Sequence, residues 1–394
     1  MRMTGTTVRG IRMPLIRQGD DLADIVVREL LRASQEEGFA FHDKDVVGIT
    51  EAVVARAQGN YATLEQIASD VRRRFPSGQV GVLFPIMSRN RFSMLLRGIS
   101  MGADRVVVML SYPGDEVGNH LLTLDAVEES GVNPYTDVLT EAQFREKFGE
   151  CRHTFTNVDY VEYYKSLGDN IEIVFGNSPK MILQFVDDVI AADIHTRERS
   201  ARKLREAGAH TVCTLCDILC ESVDGSGYNA EFGVLGSNKA SEDRVKLFPK
   251  DCGAFVDKVA GALEAATGKK IEVMVYGDGA FKDPVGGIWE LADPVVSPAY
   301  TAGLNGLPNE LKLKYIADNQ LGDLPAKEAE QRLIEKIREH RQTGSNVGMQ
   351  SQGTTPRHLT DLLGSLCDLT SGSGDKGTPV VLIQGYFDNY AVRD

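Results

Sequence analysis

Aspartate, lysine and glycine crowd into one short stretch: Gly277-Asp278-Gly279, then Lys282 and Asp283. Carboxylates beside a lysine suit a hard cation and a phosphate, because Mg²⁺ takes one or two carboxylates and shares the phosphate oxygens. A lysine there neutralises charge on a transferred group, so Lys282 and Asp278 are the candidate catalytic pair. Asp278 and Asp283 are the candidate metal ligands. Gly277 and Gly279 let the backbone turn sharply and bring a ligand close. The competing reading is a solvated turn, since Gly and Asp are common turn residues.

Other clusters are weaker. Cys213, Cys216 and Cys220 stand at C-x₂-C-x₃-C spacing, with Cys252 further on. A thiolate metal site needs such spacing, but the run is apolar and cysteine is among the most buried residue types, which favours packed thiols. Ser88-Arg89-Asn90-Arg91 and Gly176-Asn177-Ser178 are polar strand ends of the kind where α/β sheets hold ligands. Helix caps and turns use the same residues. His195 reads as a surface histidine. Arg72-Arg73-Arg74 reads as a helix end complementing the dipole. Gly268-Lys269-Lys270 lacks the G-x-x-x-x-G-K-[ST] spacing of a phosphate loop, and no G-x-G-x-x-G follows a strand in the right context.

Strands and glycine-rich loops must position these groups. Ile271–Tyr276 is a short apolar run that reads as a buried strand ending at Gly277. Val46–Thr50, Val80–Pro85, Arg105–Leu110, Ile171–Phe175, Asp243–Pro249 and Thr378–Gly385 read as further strands. Helical periodicity covers Ala23–Ala33, stopped by Gly38. It also covers Tyr61–Phe75, Arg91–Gly102, a segment from Lys180, the segment from Ile194 to Gly208, Val256–Ala266, Leu324–Gln342 and Pro356–Asp368. Three polar, glycine-rich loops, 221–238, 343–355 and 369–377, are long enough to be functional.

The chain has 394 residues, more than one ordinary core holds. The expected division is 1–78, 79–209 and 210–394, with Pro76-Ser77-Gly78 at the first boundary. A net charge of −13 argues against non-specific binding to nucleic acid or anionic membrane. The N-terminus lacks the apolar core of a signal peptide, and no run of apolar residues is long enough to span a membrane. A cytoplasmic protein with free thiols is expected.

In sum these segments resemble the coenzyme F420-0:L-glutamate ligase family. Gly10–Gly59 follows its opening pattern in GIRMPLIRQGDDLADIV and DVVGITEAVVARAQG. From about Val234 to Gly385, GSNKASEDRVKLFPKD matches a Ser-Asn-to-strand step. VYGDGAFKDP matches a strand-Asp-Thr-Phe-Gly-Arg step, with Asp278 on the aspartate and Lys282 on the arginine. RHLTDLLGSLCDLTSGSGDKGTPVVLIQG matches the closing helix and strand. The resemblance implies a mixed α/β, multi-layer ligase-like fold with an inserted α/β domain over 79–209, and a homodimer. It implies an amide ligase that uses GTP and Mg²⁺ or Mn²⁺ to join L-glutamate to a carboxylate-bearing acceptor through an acyl phosphate. Ser237 and Asn238 would then precede the substrate site, and Gln350 or Gln352 would approach metal or nucleotide.

Three departures accompany the match. Leu235 stands where an aspartate is expected, leaving Asp224, Glu231 and Asp243 as alternative metal ligands. Gly279 replaces a threonine, and Ala52 a lysine. The competing functions are ligation to another acceptor such as a folate, a nucleotide- or ligand-binding homologue without turnover, and a thiolate-metal protein.

Overall fold

The computed structural model describes residues 4–89, 91–153, 156–277, 281–282, 289–290, 298–306, 316, 321, 324–343, 358–371 and 376–388; for 281–282, 289–290, 326 and 338–343 it describes the backbone alone. Its strands begin with β1 (Thr7–Ile11), β2 (Val46–Thr50), β3 (Tyr61–Thr63), β4 (Gln79–Leu83) and β5 (Arg105–Leu110). They continue with β6 (Leu139–Thr140), β7 (Ile171–Phe175), β8 (Asp188–Ala191), β9 (Thr211–Thr214), β10 (Asn238–Lys239) and β11 (Arg244–Lys246). The last are β12 (Glu272–Tyr276), β13 (Phe281–Lys282), β14 (Trp289–Glu290), β15 (Ala299–Tyr300) and β16 (Val380–Gln384). The helices are α1 (Leu22–Glu37), α2 (Glu51–Gln58), α3 (Leu64–Arg74), α4 (Phe92–Gly102), α5 (Leu124–Glu129) and α6 (Glu141–Phe148). After them come α7 (Tyr160–Lys165), α8 (Arg197–Glu206), α9 (Cys252–Thr267), α10 (Ala326–Thr343) and α11 (Leu359–Ser371).

Two larger sheets organise the molecule, and the mixed α/β class is as expected. The first runs β1-β16-β2-β12-β15, with β2 and β12 parallel and the other pairs antiparallel. All five residues of β2, β12 and β16 are buried, as strands covered on both faces must be. Val47, Ile49, Val273 and Val275 pack towards α1 and α9; Val46, Met274, Tyr276 and Val381 pack towards α11. The second sheet runs β6-β7-β5-β4-β8-β9, parallel except for the edge strand β6. Counted among themselves, its five parallel strands stand in the order 3-2-1-4-5, that of a doubly wound sheet.

Local chemistry sets the helix limits. The Asp21 carboxylate accepts from Asp24 N–H at the start of α1, and Gly38 closes it in the left-handed region at φ 70°. The segment 61–75, expected as one helix, begins instead with strand β3. Thr63, in extended conformation, forms a capping box with Gln66, so the helix starts at Leu64 and Tyr61–Thr63 pairs with β11. The helix expected from Lys180 is a single 3₁₀ turn, Pro179–Gln184.

Gly48, at the centre of β2, has no room for a side chain. A Cβ there would overlap the buried Cys367 Sγ and lie 3.4 Å from the Tyr276 ring. Gly48→Ala should therefore destabilise the protein by about 1–3 kcal/mol, the usual cost of overpacking. The double variant Gly48→Ala/Cys367→Ala should recover most of that loss, because the methyl takes the space the sulfur leaves. Urea unfolding of the three proteins checks this; equal losses in the single and double variants would refute the packing account.

Candidate functional site

The parallel pairing of β2 and β12 sets Thr50 opposite Tyr276. The residues that follow, Glu51 and Gly277, are brought together at the carboxyl end of that pair. A Cβ on Gly277 would lie 2.8 Å from Glu51 Cγ and 3.4 Å from the Phe248 ring. Only glycine lets the strand leave the sheet so close to a buried carboxylate. Phe248 also closes over Gly236, whose φ of 71° is left-handed and whose missing Cβ would overlap the ring. The Ser237-Asn238 step and the Gly277 step therefore both approach one aromatic ring. Ser237 is buried, and its hydroxyl has no hydrogen-bond partner among the described residues.

Beside these steps a cleft of about 680 Å³ opens between the Met13–Ile16 loop, the start of α2 and the β10-β11-β3 sheet. Its cations are Arg56, Lys239, Arg244 and Lys246, and among the described residues no carboxylate lines it. In a chain of net charge −13, that is a local reversal of sign. Clefts walled by one sign of charge concentrate the field and attract counter-ions of the other sign. Each cation has a structural reason to face this way. Lys246 ends β11 opposite Asn238 on one side and Tyr61 on the other. Arg244 stacks over the Tyr61 ring, 5.2 Å from its centroid. Arg56 lies on α2, and Lys239 is tied to exposed Glu242 at 2.6 Å. Backbone bonds hold the rim: Met13 N–H donates to Gly377 O at 3.3 Å and Thr50 N–H to Pro379 O at 3.0 Å.

A buried charge stands behind one of these cations. Lys246 Nζ stands 3.8 Å from Glu51 Oε1, and Glu51 is 5% exposed. Cys252, at the start of α9, has its thiol pushed up to about 12, first by burial and then by the Glu51 charge.

The sequence-derived candidates are distributed as follows. Gly277 and the Ser237-Asn238 step lie close to one another through Phe248, and Asn238 pairs with the cleft residue Lys246, but none of the three is among the cleft's lining residues. Asp278, Gly279, Asp283, Gln350 and Gln352 lie outside the described residues. Lys282 is on β13, opposite Trp289 of β14, with only its backbone described. Asp224 is exposed, its carbonyl accepting from Gln66 Nε2 on α3, and it does not line the cleft. Leu235 is buried in the core. The polar ends of the second sheet serve structure: Asn177 bonds both the N–H and the carbonyl of Tyr112, and Ser88 Oγ caps Arg91 N–H. The thiols of Cys213 and Cys216 are pushed up by burial. Sequence reasoning missed Glu51, Arg56, Arg244 and Lys246. Basic residues recurring at Lys239, Arg244 and Lys246 on a short hairpin were the one signal available for two of them.

A family model described as F420-0:gamma-glutamyl ligase matches residues 10–385, nearly the whole chain. No curated protein matches it.

A polyanion should bind this cleft before any chemistry is invoked. Inorganic tripolyphosphate, titrated calorimetrically, should bind with affinity that falls as salt rises. Arg56→Ala should weaken it about tenfold, the size of one charge-assisted contact. Undiminished binding by Arg56→Ala, or no salt dependence, would place the anion elsewhere.

Proposed function

We propose a reaction from one premise: the chain belongs to the F420-0:gamma-glutamyl ligase family. In it, GTP phosphorylates the carboxylate of a small acceptor, and the amine of L-glutamate attacks the resulting acyl phosphate. The first step breaks the bond between the γ-phosphorus and the β–γ bridging oxygen, and releases GDP. The second forms the amide, expels phosphate and leaves the amine's proton to be taken up. Such chemistry is almost wholly positioning and charge neutralisation. The observation that carries this reading is the cationic cleft at the carboxyl end of β2, adjoining the Gly277 and Ser237 steps.

Each part of the cleft has work to do. Arg56, Lys239 and Arg244 would hold the phosphate chain. The buried Ser237 hydroxyl, without a partner among the described residues, would donate to substrate. Buried Glu51 packs against Gly277, so a carboxylate stands beside the end of β12. That setting suits Mg²⁺ or Mn²⁺, which Asp278 and Asp283 would hold. A bound divalent ion would supply charge neutralisation between the phosphates.

A homologue that binds nucleotide without turnover is the second reading. Leu235 favours it, because that position offers only a buried apolar side chain where the resemblance expects a carboxylate.

Purified protein with Mn²⁺, GTP and L-glutamate should release GDP in an acceptor-dependent manner across a panel of carboxylate acceptors. Asp278→Asn should lower that rate at least about a hundredfold while leaving thermal unfolding unchanged, as expected when a charge acting in the transition state is lost. Nucleotide binding with no glutamate-dependent GDP release from any acceptor would select the second reading.

A further inference from the structure

Register decides what the β10-β11-β3 sheet shows to the cleft. Tyr61, Ala62 and Thr63 pair with Lys246, Val245 and Arg244 in turn. Ala62 and Val245 belong to the buried core, so the alternation of a strand turns Tyr61, Thr63, Arg244 and Lys246 to the other face. Tyr61 and Arg244 both line the cleft. They stand diagonally across the ladder, a spacing that aromatic and long side chains can bridge. Arg244 Cζ lies over the Tyr61 ring, 5.2 Å from its centroid. The acids next to Arg244 in the chain are engaged elsewhere: Glu242 pairs with Lys239 at 2.6 Å, and Asp243 accepts from Ser241 Oγ at 2.7 Å. Among the described residues the Arg244 guanidinium has no ion pair and no hydrogen bond. Arg9, which lies over Phe39 at 4.6 Å, is by contrast tied to Gln384 Oε1 at 2.6 Å.

We propose that Arg244 grips the phosphate chain of the ligand with two N–H groups at once, and that Tyr61 is a positioning residue whose ring sets the guanidinium for that grip. This rests on the reading of the cleft as a site for a phosphate chain. A guanidinium lying over an aromatic face keeps its in-plane N–H donors, and a phosphate takes two of them together. Tyr61 itself touches no phosphate. Its contribution is to ordering: an exposed arginine loses rotamer freedom when it closes on an anion, and here the ring and the register of β11 on β3 remove part of that freedom beforehand. The guanidinium stays charged, and no covalent bond forms.

Inorganic tripolyphosphate, titrated calorimetrically into the full chain, reads each part of this. Arg244→Gln should weaken binding about tenfold, the size of one charge-assisted contact. Arg244→Lys keeps the charge and lacks the fork, and should still lose at least about threefold. Tyr61→Phe keeps the ring and should bind within about twofold of wild type. Tyr61→Ile keeps the strand preference without the ring, and should weaken binding about two- to fivefold, the worth of an exposed cation–π contact. In the Arg244→Gln background Tyr61→Ile should change nothing further, because no guanidinium is left to position. Should Tyr61→Ile be poorly folded by thermal unfolding, Tyr61→Thr makes the same comparison with a side chain equally suited to a strand. Wild-type affinity without the ring, equal losses in both Arg244 backgrounds, or a loss in Tyr61→Phe as large as in Tyr61→Ile would overturn the role of Tyr61. Wild-type affinity in Arg244→Lys would overturn the two-donor grip. In all these cases the phosphate reading of the cleft stands. A wild-type chain that binds no tripolyphosphate would remove that reading, and the proposal with it.

Discussion

The structure depends on the pairing of β2 with β12. These two strands are parallel, fully buried and centred in their sheet, so both carboxyl ends face the same way. Parallel strands must be joined by a long crossover, and the chain between these two supplies most of the molecule. What leaves β2 as Glu51 and what leaves β12 as Gly277 are thereby fixed side by side. A slip of one residue in the register would turn every side chain of β12 to the other face and bury the wrong set. The core thus protects the site geometry: each fully buried Val or Ile contributes roughly 1.5–3 kcal/mol, and Val47, Ile49, Val273 and Val275 all depend on the same register.

The electrostatics follow from where that pairing ends. A buried carboxylate, a partly buried ammonium and three further cations gather near the carboxyl end of β2 in a chain of net charge −13. Such a concentration of charge opposes folding, since ions are desolvated and like charges are brought together. The fold carries it through neighbours: the Tyr61 ring beneath Arg244, Glu242 on Lys239, Glu51 behind Lys246. Two glycines, Gly236 and Gly277, then let the chain approach the Phe248 ring closely, and this draws the hairpin towards the end of β12.

Much of this was legible in sequence. Short apolar runs gave β2, β5, β7, β12 and β16, because buried strands consist of little else. Glycine after an amphipathic run marked the end of α1 at Gly38. Tyr61–Thr63 was not legible as a strand, since three residues have no periodicity to read and pairing with β11 decides their conformation. The site was half legible. Gly277 announced itself by residue type at a strand end, and Ser237 and Asn238 through the resemblance. Lys246 and Glu51 did not, because each is an ordinary charged residue in its own segment and 195 positions separate them. Ala52, which stands where the resemblance expects a lysine, lines the same cleft as Lys246. A cation missing from one element and present on another that faces it is a relation in space, and spacing along the chain does not contain it.

The second sheet bears on the first through packing. Its doubly wound order places polar loops along one edge, the usual setting for a ligand. Here those loops are occupied with one another: Asp115 accepts from Met87, Val117 and Asn119 N–H, Tyr164 bridges Ile86 and Ser88, and Asn177 grips Tyr112. One continuous core runs from β4 and β5 through α4 and α3 to Ala62 of β3 and Val245 of β11. Asp70, fully buried on α3, accepts from Leu219 N–H at 2.7 Å and from Arg73 and Arg74, locking the 215–235 segment to the same helix. The three-stranded sheet that carries Lys239, Arg244 and Lys246 is therefore braced from behind by the doubly wound unit. Cationic side chains that repel one another hold a fixed spacing only on a rigid support, and in this chain the support for the hairpin is the middle segment.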